Sequence, residues 1–101
     1  METYVILAKL TDRGRQDIQG IAERRQKNIE ALKQNGINIV ADYALMGDYD
    51  FLYIVEAPDN RTIMQQIVKD TAAGTLIFHT MGAMPLDQFS SIALNTKEMQ
   101  G

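Results

Sequence analysis

A chain of 101 residues, 46% hydrophobic and 23% charged, has room for one core and not two, and its balance is neither that of a disordered chain nor that of a membrane-spanning one. The lack of cysteine excludes disulfides, thiolate nucleophiles and cysteine metal sites. Ten Lys and Arg against thirteen Asp and Glu give a net charge of −3, which argues against general affinity for nucleic acid, since that relies on clustered cations.

Thr3 to Leu10 (TYVILAKL) is a short, nearly continuous apolar run and reads as a central strand covered on both faces. Thr11-Asp12-Arg13-Gly14 stops it. From about Gly20 to Asn35, the residues Ile21, Ala22, Ile29 and Leu32 recur at helical spacing, and Asn35-Gly36 is a fitting exit; Gly20 weakens a continuous helix and leaves Ile18 to an earlier turn. Ile37 to Met46 and Tyr49 to Ala57 read as two strands joined by a tight two-residue turn at Gly47-Asp48, with positive φ there. Pro58-Asp59-Asn60 ends the second strand and starts a helix with Ile63, Met64, Ile67, Val68 and Thr71 on one stripe, closed by Gly74. Thr75 to Met84 is a fourth strand. After Pro85, the residues Leu86, Phe89, Ile92 and Ala93 form a short amphipathic helix, and the chain is expected to fray beyond Asn95.

The order strand, helix, strand, strand, helix, strand makes one α+β domain over residues 1–101, with its core at about 3–89 and a tail at 90–101. It is a ferredoxin-like βαββαβ sandwich, a four-stranded antiparallel sheet with two helices on one face. Two helices joined by right-handed crossovers lie on the same side, which leaves the other face bare. No apolar run approaches the roughly 18 to 20 residues of a membrane helix. Met1 to Leu10 has neither the basic start nor the cleavage site of a secretory signal, so no membrane partner and a cytoplasmic location are expected.

Tyr4-Val5-Ile6-Leu7 followed by Thr11-Asp12-Arg13-Gly14, then Glu23-Arg24, Tyr43 to Asp50 (YALMGDYD) and Glu56-Ala57-Pro58-Asp59, is similar to the pattern of the GYD domain family over about Thr3 to Phe89. The resemblance implies a dimeric α/β barrel, in which two open sheets face each other around a cavity; the chemistry of the family is largely uncharacterised. His79 and Thr80 in the last strand depart from its usual pattern. Gly47-Asp48-Tyr49-Asp50 also resembles the hairpin motif of the effector-binding domains of leucine-responsive transcription regulators, which bind amino acids between subunits. The helix-turn-helix half of those regulators is absent, so direct DNA binding is not expected.

Strand alternation places Asp50, Leu52, Ile54 and Glu56 on one side of their strand and Tyr49, Phe51, Tyr53 and Val55 on the other. A dry helix-covered face does not take unpaired carboxylates, so the first set belongs to the open face. A two-residue turn sets Leu45 opposite Asp50 and Tyr43 opposite Leu52. Leu76 and Phe78 pack under the helices, while His79 faces outward with Val5, Leu7 and Lys9. The candidate cavity lining is therefore Lys9, Tyr43, Asp50, Leu52, Ile54, Glu56 and His79, with Gly47 and Asp48 as the turn. The plainer alternative has Asp50 bonding backbone donors at the hairpin and pairing with Lys9, Glu56 satisfying a strand end, and His79 as a polar interface residue.

No catalytic set emerges. The single histidine lacks an orienting partner in the sequence, and six strand residues put Asp50 and Glu56 about 20 Å apart. One histidine with scattered carboxylates predicts no metal site, no cofactor motif is present, and the six methionines read as packing. The expected role is a homo-oligomeric module that binds a small, partly apolar molecule between subunits. The alternatives are a cofactor-free enzyme of the monooxygenase or isomerase type that this fold also hosts, and a structural assembly unit without ligand.

Overall fold

The apolar run near the N-terminus forms β1 (Glu2–Leu10), the inner strand around which the sheet is built. Its neighbours are β3 (Phe51–Ala57) and β4 (Leu76–Ala83), and β2 (Asn38–Ala44) extends the sheet beyond β3, in the antiparallel order β2-β3-β1-β4. The computed structural model describes residues 1–100, with side chains through Thr96. β1 is not covered on both faces as its composition predicts. Tyr4, Ile6, Ala8 and Leu10 are buried, whereas Val5 and Leu7 between them are half-buried and Lys9 is exposed. The unbroken apolar run therefore serves two different surfaces, one of them less well covered than the other among the described residues.

The core joins Tyr4 and Ile6 of β1, Val55 and Ala57 of β3, Ile37 just before β2, and Ile63, with Leu32, Ile39, Tyr53, Ile67 and Phe78 packed against it. Fully burying side chains of this kind contributes roughly 1.5–3 kcal/mol each. The cover comes from α2 (Ile18–Gln34) and α3 (Asn60–Thr71). Thr11 ends β1 and caps a preceding short helix, α1 (Asp12–Gln16), its hydroxyl accepting from the Gly14 N–H and donating to the Gly74 carbonyl. A short helix does precede the long one, but Ile18 is not in it as expected: Ile18 starts α2, and Gly20 lies within that helix without breaking it. The missing Gly20 side chain leaves room for Arg24 to reach back to Asp17 at 2.6 Å. No residue of α2 is fully buried. Its hold on the sheet includes Leu32 in the core and Arg25, which donates twice to the Asp42 carboxylate on edge strand β2.

The Asp59 carboxylate caps α3 by accepting from the Thr62 N–H and hydroxyl, which holds its pKa below the usual carboxylate range. The apolar stripe of α3 is narrower than the sequence implies. Ile63 is buried and Ile67 packs on the core, while Met64 and Val68 are exposed. A bulge at Val40 shifts the β2–β3 register between Ile39 and Ala41 and turns Val40 outward.

After β4, Met84 and Pro85 lead into α4 (Leu86–Gln100). The fraying expected after Asn95 is not seen in the backbone, which stays helical through Gln100. The Pro85 carbonyl accepts from the N–H groups of Gln88 and Phe89 in the first turn of the helix. Leu86, Phe89, Ile92 and Leu94 of this helix are exposed. The Cα radius of gyration is 16.3 Å, against about 13 Å for a typical globular chain of this length.

One close approach ties these parts together. A Cβ on Gly14 would collide with the carbonyl oxygen of Thr75, the group that accepts the Thr11 N–H. Gly14→Ala should therefore lower stability by about 1–3 kcal/mol, because backbone and not a movable side chain must give way; urea unfolding would measure it, and an unchanged midpoint would mean that this junction is not tight.

Candidate functional site

The strand registers assemble the open face row by row. Leu7 of β1 stands opposite His79 on β4 and Leu52 on β3, and Leu52 stands opposite Tyr43 on β2, so His79, Leu7, Leu52 and Tyr43 form one row across all four strands. The next row is Met81, Val5, Ile54 and Ala41. Lys9 lies beside Ile77 toward one end, and Glu56 lies opposite Thr3 and Asn38 at the other. The middle of the face is thus aliphatic. Its polar groups sit at the margins: His79 and Tyr43 on the two edge strands, Lys9 and Glu56 near the two ends.

Three strand spacings separate His79 from Tyr43, about 14 Å, and six residues separate the rows of Lys9 and Glu56, about 20 Å. The sheet does not bring these four side chains together within one chain. An apolar centre with a polar rim is the layout of a protein–protein interface core.

The β2–β3 connection differs from the tight hairpin. The Leu45 N–H donates to the Asp50 carbonyl at 2.8 Å, so four residues, Met46 to Tyr49, lie between the paired ends and not two. Gly47 has a φ of 123°, a conformation that L side chains rarely adopt, but Asp48 does not share a positive φ, as a two-residue type I′ turn requires. The cause of the longer loop lies on β1. The Asp50 N–H donates to the Ala8 carbonyl at 2.9 Å, and its carboxylate accepts the Leu10 N–H at 2.7 Å. Asp50 therefore completes the β1–β3 ladder with its side chain where the main chain of β3 has already turned away. Its partner is a backbone donor of β1 and not of the hairpin, and among the described residues no ion pair joins it to Lys9.

Strand alternation also misplaces Tyr49. Regular pairing begins only at Phe51, and the Tyr49 ring meets His79 edge-on, with centroids 5.3 Å apart and planes at 77°. The open face thus gains an aromatic residue that the sequence reading assigned to the helix side. Among the described residues no hydrogen bond orients His79. Tyr53, on the helix side opposite Asp42, is raised in pKa by burial and then by that carboxylate. Asp70 of α3 is raised by burial, partly offset by the bond it accepts from Gln66. Two shallow hollows also lie away from the open face, one of about 400 Å³ beside Glu30, Lys33 and Gln34, the other of about 250 Å³ beside Asn35, Thr62 and Lys69.

The sequence profile of the GYD domain matches residues 4–93. The chain belongs to the GYD domain family. Its likeness extends to a Thermus thermophilus protein named "Glutamine synthetase and cystathionine beta-lyase binding protein", 33% identical over 87 residues that make up 85% of this chain and 92% of that protein. Among solved structures, MtbAldR superposes with a TM-score of 0.64 at 16% identity over 83% of this GYD chain, which spans about half (52%) of the length of MtbAldR. FFRP-DM1 superposes with a TM-score of 0.58 at 21% identity over 83% of the chain and all of its own length. At those identities the two structures establish the ferredoxin-like fold and nothing further.

The Asp50 bond separates a scaffolding role from a binding one. Asp50→Ala leaves the Leu10 N–H without its acceptor and should lower stability by roughly 1–3 kcal/mol, whereas His79→Ala, which removes one aromatic contact, should cost less than about 1 kcal/mol. Thermal unfolding of both variants checks this; a larger loss for His79→Ala would reverse the assignment.

Proposed function

We propose that this GYD protein is a non-catalytic binding module that acts as a homo-oligomer, paired through its open sheet face. The observation that carries the reading is the aliphatic centre of that face, Val5, Leu7, Leu52 and Ile54, ringed by Lys9, Tyr43, Glu56 and His79. Soluble monomers seldom leave a contiguous apolar patch of this kind in water. Facing a second copy, the two centres enclose an apolar space with polar groups at its margin, the composition of a pocket for a small, partly apolar molecule. Asp50 is spoken for by the Leu10 N–H, so the lining reduces to Lys9, Tyr43, Leu52, Ile54, Glu56 and His79, with Tyr49 added. The spread of the ionisable groups within one chain supports binding over turnover, because general acid–base chemistry needs partners within hydrogen-bond reach.

The name of the Thermus relative supports a second reading, in which the assembled module docks on enzymes and its partners are proteins.

Native mass spectrometry of the purified chain reports subunit number and retained small molecules in one measurement. The expected spectrum shows multiples of the 11.4 kDa chain, reduced to single chains by Leu52→Glu, which sets a charge in the apolar centre. A wild-type spectrum of single chains at micromolar concentration would remove the reading. A reaction that His79→Ala slows by about 100-fold with folding intact, the scale of a lost acid or base, would replace binding with catalysis.

A further inference from the structure

We propose that β4 is a strand-addition edge for a second copy of the chain, the two β4 strands lying antiparallel about a two-fold axis at His79 and joining face-paired copies into a larger assembly. The inference rests on the homo-oligomer reading and adds to it a second contact, made by backbone and not by the open face.

The direction of the backbone groups follows from three hydrogen bonds. On β1, the Ala8 carbonyl accepts from the Asp50 N–H and the Leu10 N–H donates to the Asp50 carboxylate, so the even-numbered residues of β1 turn their backbone groups toward β3. The Thr11 N–H donates to the Thr75 carbonyl, so the odd-numbered ones turn toward β4. The register sets Lys9 opposite Ile77, Leu7 opposite His79 and Val5 opposite Met81, and in an antiparallel ladder these are the pairs that exchange hydrogen bonds. The N–H and C=O groups of Leu76, Phe78, Thr80 and Gly82 therefore point out of the sheet. β4 is the last strand on that side, and among the described residues no backbone bond from a loop, turn or helix end reaches these groups.

The two edges of the sheet are not alike. β2 is interrupted by the bulge at Val40 and carries the Asp42 carboxylate paired with Arg25, both of them features that discourage strand addition. β4 pairs with β1 without a register shift over its eight residues, and its sequence LIFHTMGA contains no Asp, Glu, Lys, Arg or Pro. A regular edge with neither charge nor bulge is a template for another strand.

What fits that edge is set by β4 itself. Outward residues pair only with outward residues, and the antiparallel register that overlaps the whole strand sets Leu76 against Gly82 of the second copy and Phe78 against its Thr80. All four outward residues are then paired. Each of these pairs sets a large side chain against a small one, and a side chain on Gly82 would meet nothing within 4 Å, which leaves room there for Leu76. On the other side of the strand, Ile77 and Met81, 54% and 45% exposed, become cross-strand neighbours. An arbitrary peptide shares the backbone bonds but not this matching, whereas a second copy supplies it twice by symmetry. One ladder of eight residues is a small contact and does not hold single chains together at micromolar concentration; it acts once face pairing has set two such edges on one particle.

Amide hydrogen exchange read residue by residue tests the edge without choosing its occupant beforehand. In the assembled protein the Phe78 and Thr80 amides should exchange at least tenfold more slowly than in the single chains of Leu52→Glu, with the inward His79 amide protected in both. Fast exchange of Phe78 and Thr80 in the assembled protein would overturn the edge contact while leaving face pairing intact. Slow exchange in the single chains as well would mean that the edge is covered within its own chain, which also overturns it. In a second measurement, Thr80→Pro removes an outward N–H that the β1 ladder does not use, a position where an edge strand tolerates proline. The wild type should sediment as four chains or more and folded Thr80→Pro as two. The same size for both would overturn the edge alone, as would a native mass spectrum of two chains carrying a foreign peptide. Single chains for the wild type would overturn face pairing and the edge together.

Discussion

Everything in this molecule depends on the fact that a four-stranded sheet has two faces and the chain supplies helices for one. The consequence is written along β1, where Tyr4, Ile6, Ala8 and Leu10 are buried while Val5 and Leu7, equally apolar in kind, are left half-covered. An aliphatic residue facing water forgoes the roughly 25 cal/mol per Å² that burial brings. Two rows of such residues run across the open face, where Val5, Leu7, Leu52 and Ile54 are only half-buried.

The scaffold that holds the open face is set from its margins. Asp50 lends a carboxylate oxygen to the Leu10 N–H and so ends the β1–β3 ladder without an orphaned donor. Thr11, Gly14 and Thr75 lock the end of β1 against the start of β4. Arg25 ties the exposed helix α2 to edge strand β2 through Asp42. Exposed ion pairs contribute little to stability, so that last contact positions more than it stabilises.

The fold was legible because its signals are local and periodic. Asp59 before a helical stripe, Gly36 and Gly74 after helices, and alternation along β3 and β4 each specify an element by short-range physics, and together they lead to the observed sheet. What was not legible depends on contacts between distant segments. The pull of Asp50 toward β1 lengthened the turn that Gly47-Asp48 implies and released Tyr49 to meet His79. The burial of alternate residues along β1 hinges on where the helices stop, which an unbroken apolar run does not reveal. Gly14 read as a turn residue, and its close approach to Thr75 is visible only in three dimensions. Of the candidate site, Lys9, Tyr43, Leu52, Ile54, Glu56 and His79 share the open face as alternation implies, whereas their spread to its margins follows from strand order.

The central claim is that the open face is covered in the working protein, and the methyl groups of Val5, Leu7, Leu52 and Ile54 report on it directly. Relaxation of these methyls by a soluble paramagnetic agent, followed by NMR across a dilution series, compares them with Val55 in the core and Val68 on the exposed side of α3. The account predicts protection close to that of Val55 at high concentration, falling toward the behaviour of Val68 as the assembly dissociates. Relaxation matching Val68 at every concentration would contradict it.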